Sequence, residues 1–334
     1  MKKIKLLFSA FLPVIAALGV QLAAMFLVSF WFSVISIIRL LLEGISDPEL
    51  LMTGIITLLA DSLFNDILMS VTFVALALVF ILWSRKQKDK EAPTAFDEVF
   101  RIRHLAIFLF SGLAAQVAVS MCLNLILPLF PQTFENYTRL IESLVGNSIV
   151  VSVITTAVLA PIAEELIFRE LMMKKLGKLF PFWFANIIQA LVFGIYHMNI
   201  VQGIYAFVLG LLFGYVAYRM KSVWASVMLH GIVNASGLVL DIILPDALLE
   251  STSGMIIFAI LCSAITILLS LLYRFPEKEQ PLFETDSCPV SETASSALFA
   301  QNVIPDALDS SHIQAAPAER SEDTDSENEH PDSR

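Results

Sequence analysis

The chain has 334 residues, of which 57% are hydrophobic and 16% charged, with a mean hydropathy of +0.76 and a formal net charge of −10. Soluble domains carry about 25% charged residues, so this composition excludes an ordinary soluble enzyme and indicates an integral membrane protein. Residues 275–334 hold 14 acidic and 3 basic residues, so the acidity belongs to a C-terminal tail and the apolar body is close to neutral.

The chain opens with Lys2, Lys3 and Lys5 before an apolar run over 6–38. That run is too long for the roughly 7–15 residue apolar stretch of a signal peptide, and no clean small-residue cleavage site follows it, so it reads as an uncleaved first span. Crossing a bilayer as a helix takes about 20 apolar residues. Spans are predicted over 8–38, 63–84, 105–127, 147–168, 182–201, 203–219, 223–244 and 254–273, with Pro13 and Gly19 as points where the first can kink. The predicted fold class is therefore all-α, a polytopic membrane bundle of about eight helices.

Lys and Arg placement sets the topology. With the N-terminus inside, eight crossings put 19 of the 21 basic residues on one face and leave only Arg39 and Arg139 outside. Both termini are then cytoplasmic. The first outer loop carries Glu43, Asp47, Glu49, Asp61 and Asp66; the second, over 128–146, includes an amphipathic stretch near 137–144. Residues 1–127 read as a supporting bundle of three spans, 147–244 as a four-span functional core, 254–273 as the last span and 275–334 as a disordered, solvating tail. Cys122, Cys262 and Cys288 show neither a disulfide framework nor a metal-knuckle spacing, and the first two are expected to pack within helices. Gly210 and Gly214 form a small-xxx-small pair expected to let helices approach closely, and Asn186 and Gln189 are expected to bond between helices.

The core holds ionisable residues in membrane-grade sequence: Glu164, Glu165 and Arg169 on one span, His197 on the following span one turn after Phe193, and His230 with Asn234 on a third. A charged side chain at bilayer depth costs about 2.5–3.5 kcal/mol on insertion scales, so such groups mark function. Residues four apart on a helix face each other, which pairs Glu165 with Arg169 and leaves Glu164 rotated by about 100°. A leftover carboxylate suits a general base. Glu164 with His197 can take a proton from water, while His230 and Asn234 can donate hydrogen bonds to the oxyanion of an amide undergoing hydrolysis. The same atoms admit a second arrangement, in which Glu164, His197 and His230 hold a zinc ion with water in the open position. No His-Glu-x-x-His, serine elbow or catalytic cysteine accompanies them. Membrane carboxylates and histidines also serve proton-coupled transport, although no internal repeat of the transporter kind is visible. A non-catalytic immunity or scaffold protein is a further alternative.

The ordered set Glu-Glu-x-x-x-Arg (Glu164, Glu165, Arg169), Phe-x-x-x-His (Phe193, His197) and His-x-x-x-Asn (His230, Asn234) resembles the CPBP family of CAAX proteases and bacteriocin-processing enzymes, also called the Abi family. The resemblance covers 147–244, about a third of the chain, and leaves the first three spans and the tail without support. It implies an intramembrane peptidase similar to the type II CAAX prenyl proteases. In that case Glu164 and His197 activate water, His230 and Asn234 form the oxyanion hole, and Glu165, Arg169 and Phe193 support them. It further implies a glutamate-dependent mechanism without a cofactor, against the zinc alternative under which many members have been classed. The expected partners are the lipid bilayer and a membrane-associated peptide or protein substrate; no nucleic acid is expected. The expected location is a bacterial cell membrane.

Overall fold

The structure, a computed structural model, describes residues 2–59, 61–87, 99–144, 148–243 and 251–273. These all fall in one compact unit, Met1–Thr285. The acidic tail, most of the basic loop after the second expected span, and Cys288 lie outside the described residues.

Every regular element among the described residues is helical. In chain order these are α1 (Lys2–Leu42), α2 (Pro48–Leu59), α3 (Ser62–Lys86), α4 (Ile102–Ile126, extended by a 3₁₀ turn) and α5 (Pro131–Leu144). They continue with α6 (Ile149–Gly177), α7 (Phe182–Tyr196), α8 (Ile200–Met220), α9 (Val223–Ile243) and α10 (Thr252–Leu271). Seven of them, all except α2, α5 and α7, are long and apolar enough to cross a membrane. The all-α polytopic class therefore holds, with two adjustments.

The first adjustment concerns the expected span over 182–201. It is the fifteen-residue α7. At 1.5 Å per residue it reaches about 22 Å, short of the roughly 30 Å hydrocarbon core. It stops there because Met198 takes left-handed backbone, φ 52°, and because Asn199 starts α8 by accepting a hydrogen bond from the Gln202 N–H at 3.0 Å. His197 is thereby left at the tip of a short helix.

The second adjustment concerns the outer segments. The first outer loop contains α2, Asp61 caps α3 by accepting from the Leu63 N–H at 2.8 Å, and Asp66 is buried within α3. In the second outer segment the amphipathic stretch extends further than expected, as α5. Cys122 is exposed rather than packed, and Cys262 is half-buried.

Helix α1 runs unbroken through Pro13. Proline has no N–H, so the carbonyl one turn back loses its helical donor. That carbonyl, Ser9 O, accepts instead from Lys175 Nζ at 2.9 Å, and the Lys175 ammonium also lies 5.7 Å from the centre of the Trp83 ring. One lysine at the end of α6 thus ties α1 and α3 together. Helix α10 lies along α4, fastened by Tyr273, whose hydroxyl is 2.8 Å from Ser111 Oγ and whose ring stacks on Phe108.

The close approach of α7 and α8 depends on glycine. A Cβ at Gly210 would meet Phe193 and Ala190 at 3.1 and 3.2 Å, and one at Gly214 would fall 1.9 Å from Asn186 Oδ1. Asn186 and Gln189 use that proximity, donating to Leu211 O at 3.0 Å and Gly210 O at 3.0 Å. The expected close packing and interhelical bonding both occur here. Phe168, Leu171, Phe193, Phe213 and Leu229 are fully buried where α6, α7, α8 and α9 meet. Large apolar side chains such as Phe8, Ile204 and Leu268 face outward, as lipid requires.

Overpacking a tight helix contact costs about 1–3 kcal/mol. Gly214→Ala should therefore lower the melting temperature of the detergent-solubilised protein by several degrees. Gly19→Ala, where a Cβ meets nothing within 4 Å, should leave it unchanged. Thermal unfolding of the two variants side by side checks this.

Candidate active site

Helix α6 presents the acidic pair through an irregular backbone. A π-helical segment, Ile154–Leu159, precedes the α-helical Ala160–Glu165, and a second, Leu166–Met173, follows it. Such insertions are uncommon and cluster at functional sites. The first has a local cause and a local consequence. The Ala160 N–H reaches back five residues to Thr155 O. In that register the next donor would be residue 161, which is proline and has none. Its acceptor, Thr156 O, takes a hydrogen bond from Asn234 Nδ2 at 2.8 Å. Beside it, a Cβ on Gly231 would stand 2.5 Å from Ala157 O, so only glycine admits this crossing. Pro161, Gly231 and Asn234 together dock α9 onto α6 within one turn of His230.

The acidic pair faces two ways. Glu165, with no exposed surface, accepts from Arg169 Nη1 at 2.9 Å, as the four-residue spacing predicted, and from His230 Nδ1 at 2.8 Å. Arg169, 1% exposed, also donates from Nη2 to Gly210 O at 3.2 Å, the same carbonyl that Gln189 uses. Because a carboxylate only accepts, His230 Nδ1 carries the hydrogen, and Nε2 is the nitrogen that faces Glu164, 3.7 Å from Oε2. Glu164 is 8% exposed. Glu164, though buried, is therefore the more exposed carboxylate of the pair.

Phe193 is the hub of the apolar lining. The Arg169 guanidinium carbon lies 4.5 Å from the centre of its ring and 5.5 Å from that of Phe213, an arrangement that favours a desolvated cation. His197 stands edge-on to Phe193 at 4.8 Å, and His230 does so at 5.9 Å while stacking on Phe213 at 4.5 Å. The first and last residues of the Phe-x-x-x-His motif also share a polar contact: His197 Nδ1 is 2.8 Å from Phe193 O. A carbonyl cannot donate, so Nδ1 carries the proton there and a neutral ring keeps its lone pair on Nε2.

The structure thus brings Glu164, Glu165, Arg169, Phe193 and His230 into one contiguous cluster, with His197 against its Phe193 face. Asn234 is one turn from His230, but one of its amide hydrogens is committed to Thr156 O. Among the described residues no hydrogen bond joins His197 to Glu164. Among them, too, no group of three His, Cys, Asp or Glu side chains is arranged to hold a metal ion, so the alternative ligands Glu164, His197 and His230 do not form a ready zinc site.

Sequence reasoning missed three participants. Pro161 was legible as a proline inside a helix, but its partner Asn234 was visible only in three dimensions. Phe213 stacks on His230 without belonging to any motif. Tyr196, next to His197, stands edge-on to that ring at 6.3 Å and to Phe168 at 5.3 Å.

Residues 146–236, which contain every one of these motif residues, match the family described as type II CAAX prenyl endopeptidase Rce1-like. The chain is also 27% identical over 100 residues to a Bacillus subtilis (strain 168) protein named "Putative membrane peptidase YdiL". That match takes in 30% of this chain and 40% of the relative's length. No solved structure matches the chain. Both matches support the CAAX-protease and bacteriocin-processing group to which the motif set pointed, within the helical core.

Removing one partner of a buried ion pair costs about 3–5 kcal/mol, because the other charge is stranded. Arg169→Met should therefore destabilise the protein by an amount in that range. The double variant Arg169→Met with Glu165→Gln should recover part of the loss. Equilibrium unfolding in mixed detergent micelles measures both, and a double variant no more stable than Arg169→Met would count against the coupling.

Proposed function

We propose that this protein is an intramembrane endopeptidase that hydrolyses a peptide bond in a membrane-associated substrate, of the CAAX type or a peptide precursor. The reading is carried by one observation: a fully buried Glu165 holds His230 so that its second ring nitrogen faces a second, partly accessible carboxylate, Glu164. Membrane peptidases in the comparisons above supply the class; the chemistry is argued from the cluster.

In this reading water enters beside Glu164 and gives it a proton, with the His197 Nε2 lone pair as the second acceptor. The resulting hydroxide attacks the scissile carbonyl carbon, and the carbonyl oxygen gains negative charge. His230, carrying a hydrogen on Nε2 as well as on Nδ1 from the outset, donates from Nε2 to that oxygen and keeps both hydrogens. The second amide hydrogen of Asn234 donates as well, while the first keeps α9 docked on Thr156 O. Glu164 then returns its proton to the departing amine as the C–N bond breaks. The dry surroundings strengthen each of these hydrogen bonds relative to water. Glu165 and Arg169 do not touch the substrate; they orient His230 and neutralise each other. No step is routed through a metal, because Glu164, His197 and His230 are not arranged as a ligand set.

The substrate reaches the site from the bilayer or its surface. We take the membrane to be a bacterial cell membrane, with the three N-terminal spans and the last span supporting the core.

Purified full-length protein in liposomes, offered membrane-anchored peptides, tests the function. Glu164→Gln and His197→Ala should each lower kcat by about 10²–10⁴-fold, the usual contribution of general acid–base catalysis, without loss of folding. Asn234→Ala should lower it by roughly 10²–10³-fold, as for loss of an oxyanion donor. Undiminished cleavage by Glu164→Gln would reject the reading. In the same assay, activity should survive a strong metal chelator. Activity lost to chelation and restored by zinc would replace the mechanism while keeping the reaction.

A further inference from the structure

We propose that Phe213, which belongs to none of the motifs, is a positioning residue of this site: its ring face, stacked on the His230 imidazole, fixes the plane of that ring and so keeps Nε2 directed at Glu164. The inference rests on the peptidase reading and extends it to a residue that acts through His230 alone.

Phe213 lies on α8 and is 1% exposed. Its ring centre is 4.5 Å from that of His230, with 21° between the two planes. That is the offset-parallel arrangement that aromatic rings favour. The other ring contacts described for the two site histidines are edge-on: His230 meets Phe193 at 85°, and His197 meets Phe193 at 85° and Tyr196 at 88°. A parallel neighbour blocks the tilt of a flat ring out of its plane far better than an edge does.

The place of Phe213 is set by α8. Gly210, three residues earlier and on the same helix face, gives its carbonyl to Arg169 Nη2 at 3.2 Å and to Gln189 Nε2 at 3.0 Å. Gly214, the next residue, leaves the space that Asn186 of α7 fills. Helix α8 is therefore held against α6 and α7 at the turn that carries Phe213. From there the ring reaches both donors to Glu165, His230 and Arg169, the latter with its guanidinium carbon 5.5 Å from the ring centre.

The hydrogen bond to Glu165 does not orient His230 alone. It holds one atom, Nδ1, at 2.8 Å and leaves the ring able to rock about that atom. Nε2 lies beyond Cε1, so rocking swings it away from Glu164 Oε2, which is 3.7 Å distant. A flat, buried face against the imidazole removes that freedom. The face is also electron-rich, which suits a ring that carries both hydrogens. No bond is made or broken at Phe213.

The test uses full-length protein in liposomes with a membrane-anchored peptide. It compares wild type, Phe213→Leu, Phe213→Met, Phe108→Leu and Glu164→Gln. Leucine and methionine keep much of the apolar volume and lose the flat face, and either variant that folds serves. Phe108 is also fully buried but stacks on Tyr273, so Phe108→Leu reports the loss of a core ring alone. In the Phe213 variants kcat should fall about ten- to a hundredfold, as for a small misplacement of a reacting group, while KM stays within about twofold. Phe108→Leu should keep the wild-type kcat. Solid-state magnetic resonance of histidine-labelled protein gives a readout that packing loss alone does not move. The C–H dipolar couplings of the His230 ring should be close to the rigid limit in wild type and clearly reduced in the Phe213 variants, with the Nδ1 proton still bonded to Glu165. A rocking His230 ring in wild type overturns the inference without any variant. A folded Phe213 variant with wild-type kcat and a rigid His230 ring, measured alongside an inactive Glu164→Gln, overturns it and leaves the peptidase reading intact. So does a fall in kcat that Phe108→Leu shares. Wild type that does not cleave, or Glu164→Gln that cleaves as well as wild type, overturns both.

Discussion

A carboxylate with no access to water must find its counter-charges within the protein, and Glu165 is in that position. Its surface is wholly covered, and it takes a hydrogen bond from Arg169 on its own helix and one from His230 on α9. Arg169 extends the tie to the Gly210 carbonyl of α8, and its guanidinium lies over the Phe193 ring of α7. Four helices are therefore held around one charge. The arrangement is costly to break at any single point, since each removal strands a buried ion or an unpaired ring nitrogen. It also confers direction: a histidine whose Nδ1 is committed to a buried carboxylate has only Nε2 left to offer, and that atom faces Glu164.

The second constraint is backbone geometry. Pro161, just after a π-helical stretch, leaves the Thr156 carbonyl of that stretch without its ladder donor, and Asn234 supplies one from another helix. The substitution of a side-chain amide for a backbone N–H sets the register between α6 and α9, with Gly231 permitting the close crossing. Asn234 therefore spends one of its two amide hydrogens on the backbone of α6, and the other is the one proposed for the oxyanion. The neighbouring α7–α8 pair relies on the same kind of economy: the Gly210 carbonyl serves both Arg169 and Gln189, and Gly214 leaves the space that the Asn186 amide fills.

Much of this was legible in the sequence, and the physical reasons differ from residue to residue. The pairing of Glu165 with Arg169 follows from a four-residue spacing, a local property that sequence states directly. That Glu164 would stand apart follows from the same helix geometry. The all-α membrane class follows from runs of apolar residues. What depended on other helices was hidden. His230 read as a free hydrogen-bond donor, yet one of its nitrogens is occupied by Glu165, 65 residues earlier in the chain. Asn234 read the same way, and half of its donating capacity is spent on Thr156 O. The span over 182–201 read as a full crossing because apolarity runs on past the point where the chain turns; the turn rests on a left-handed Met198 and the Asn199 cap, neither of which interrupts a hydropathy count. Tyr196 carried no signal, since an aromatic residue in an apolar helix is ordinarily packing.

The central claim is that the buried Glu165 carboxylate fixes the His230 ring, with Nδ1 as donor and Nε2 directed to Glu164. Nitrogen-15 magnetic resonance of histidine-labelled protein in bilayers reads this directly. The account predicts a slowly exchanging, strongly deshielded proton on His230 Nδ1 in the wild type, lost in Glu165→Gln, with Nε2 responding to Glu164→Gln. A His230 ring that exchanges freely, or whose spectrum is the same in wild type and Glu165→Gln, would contradict it.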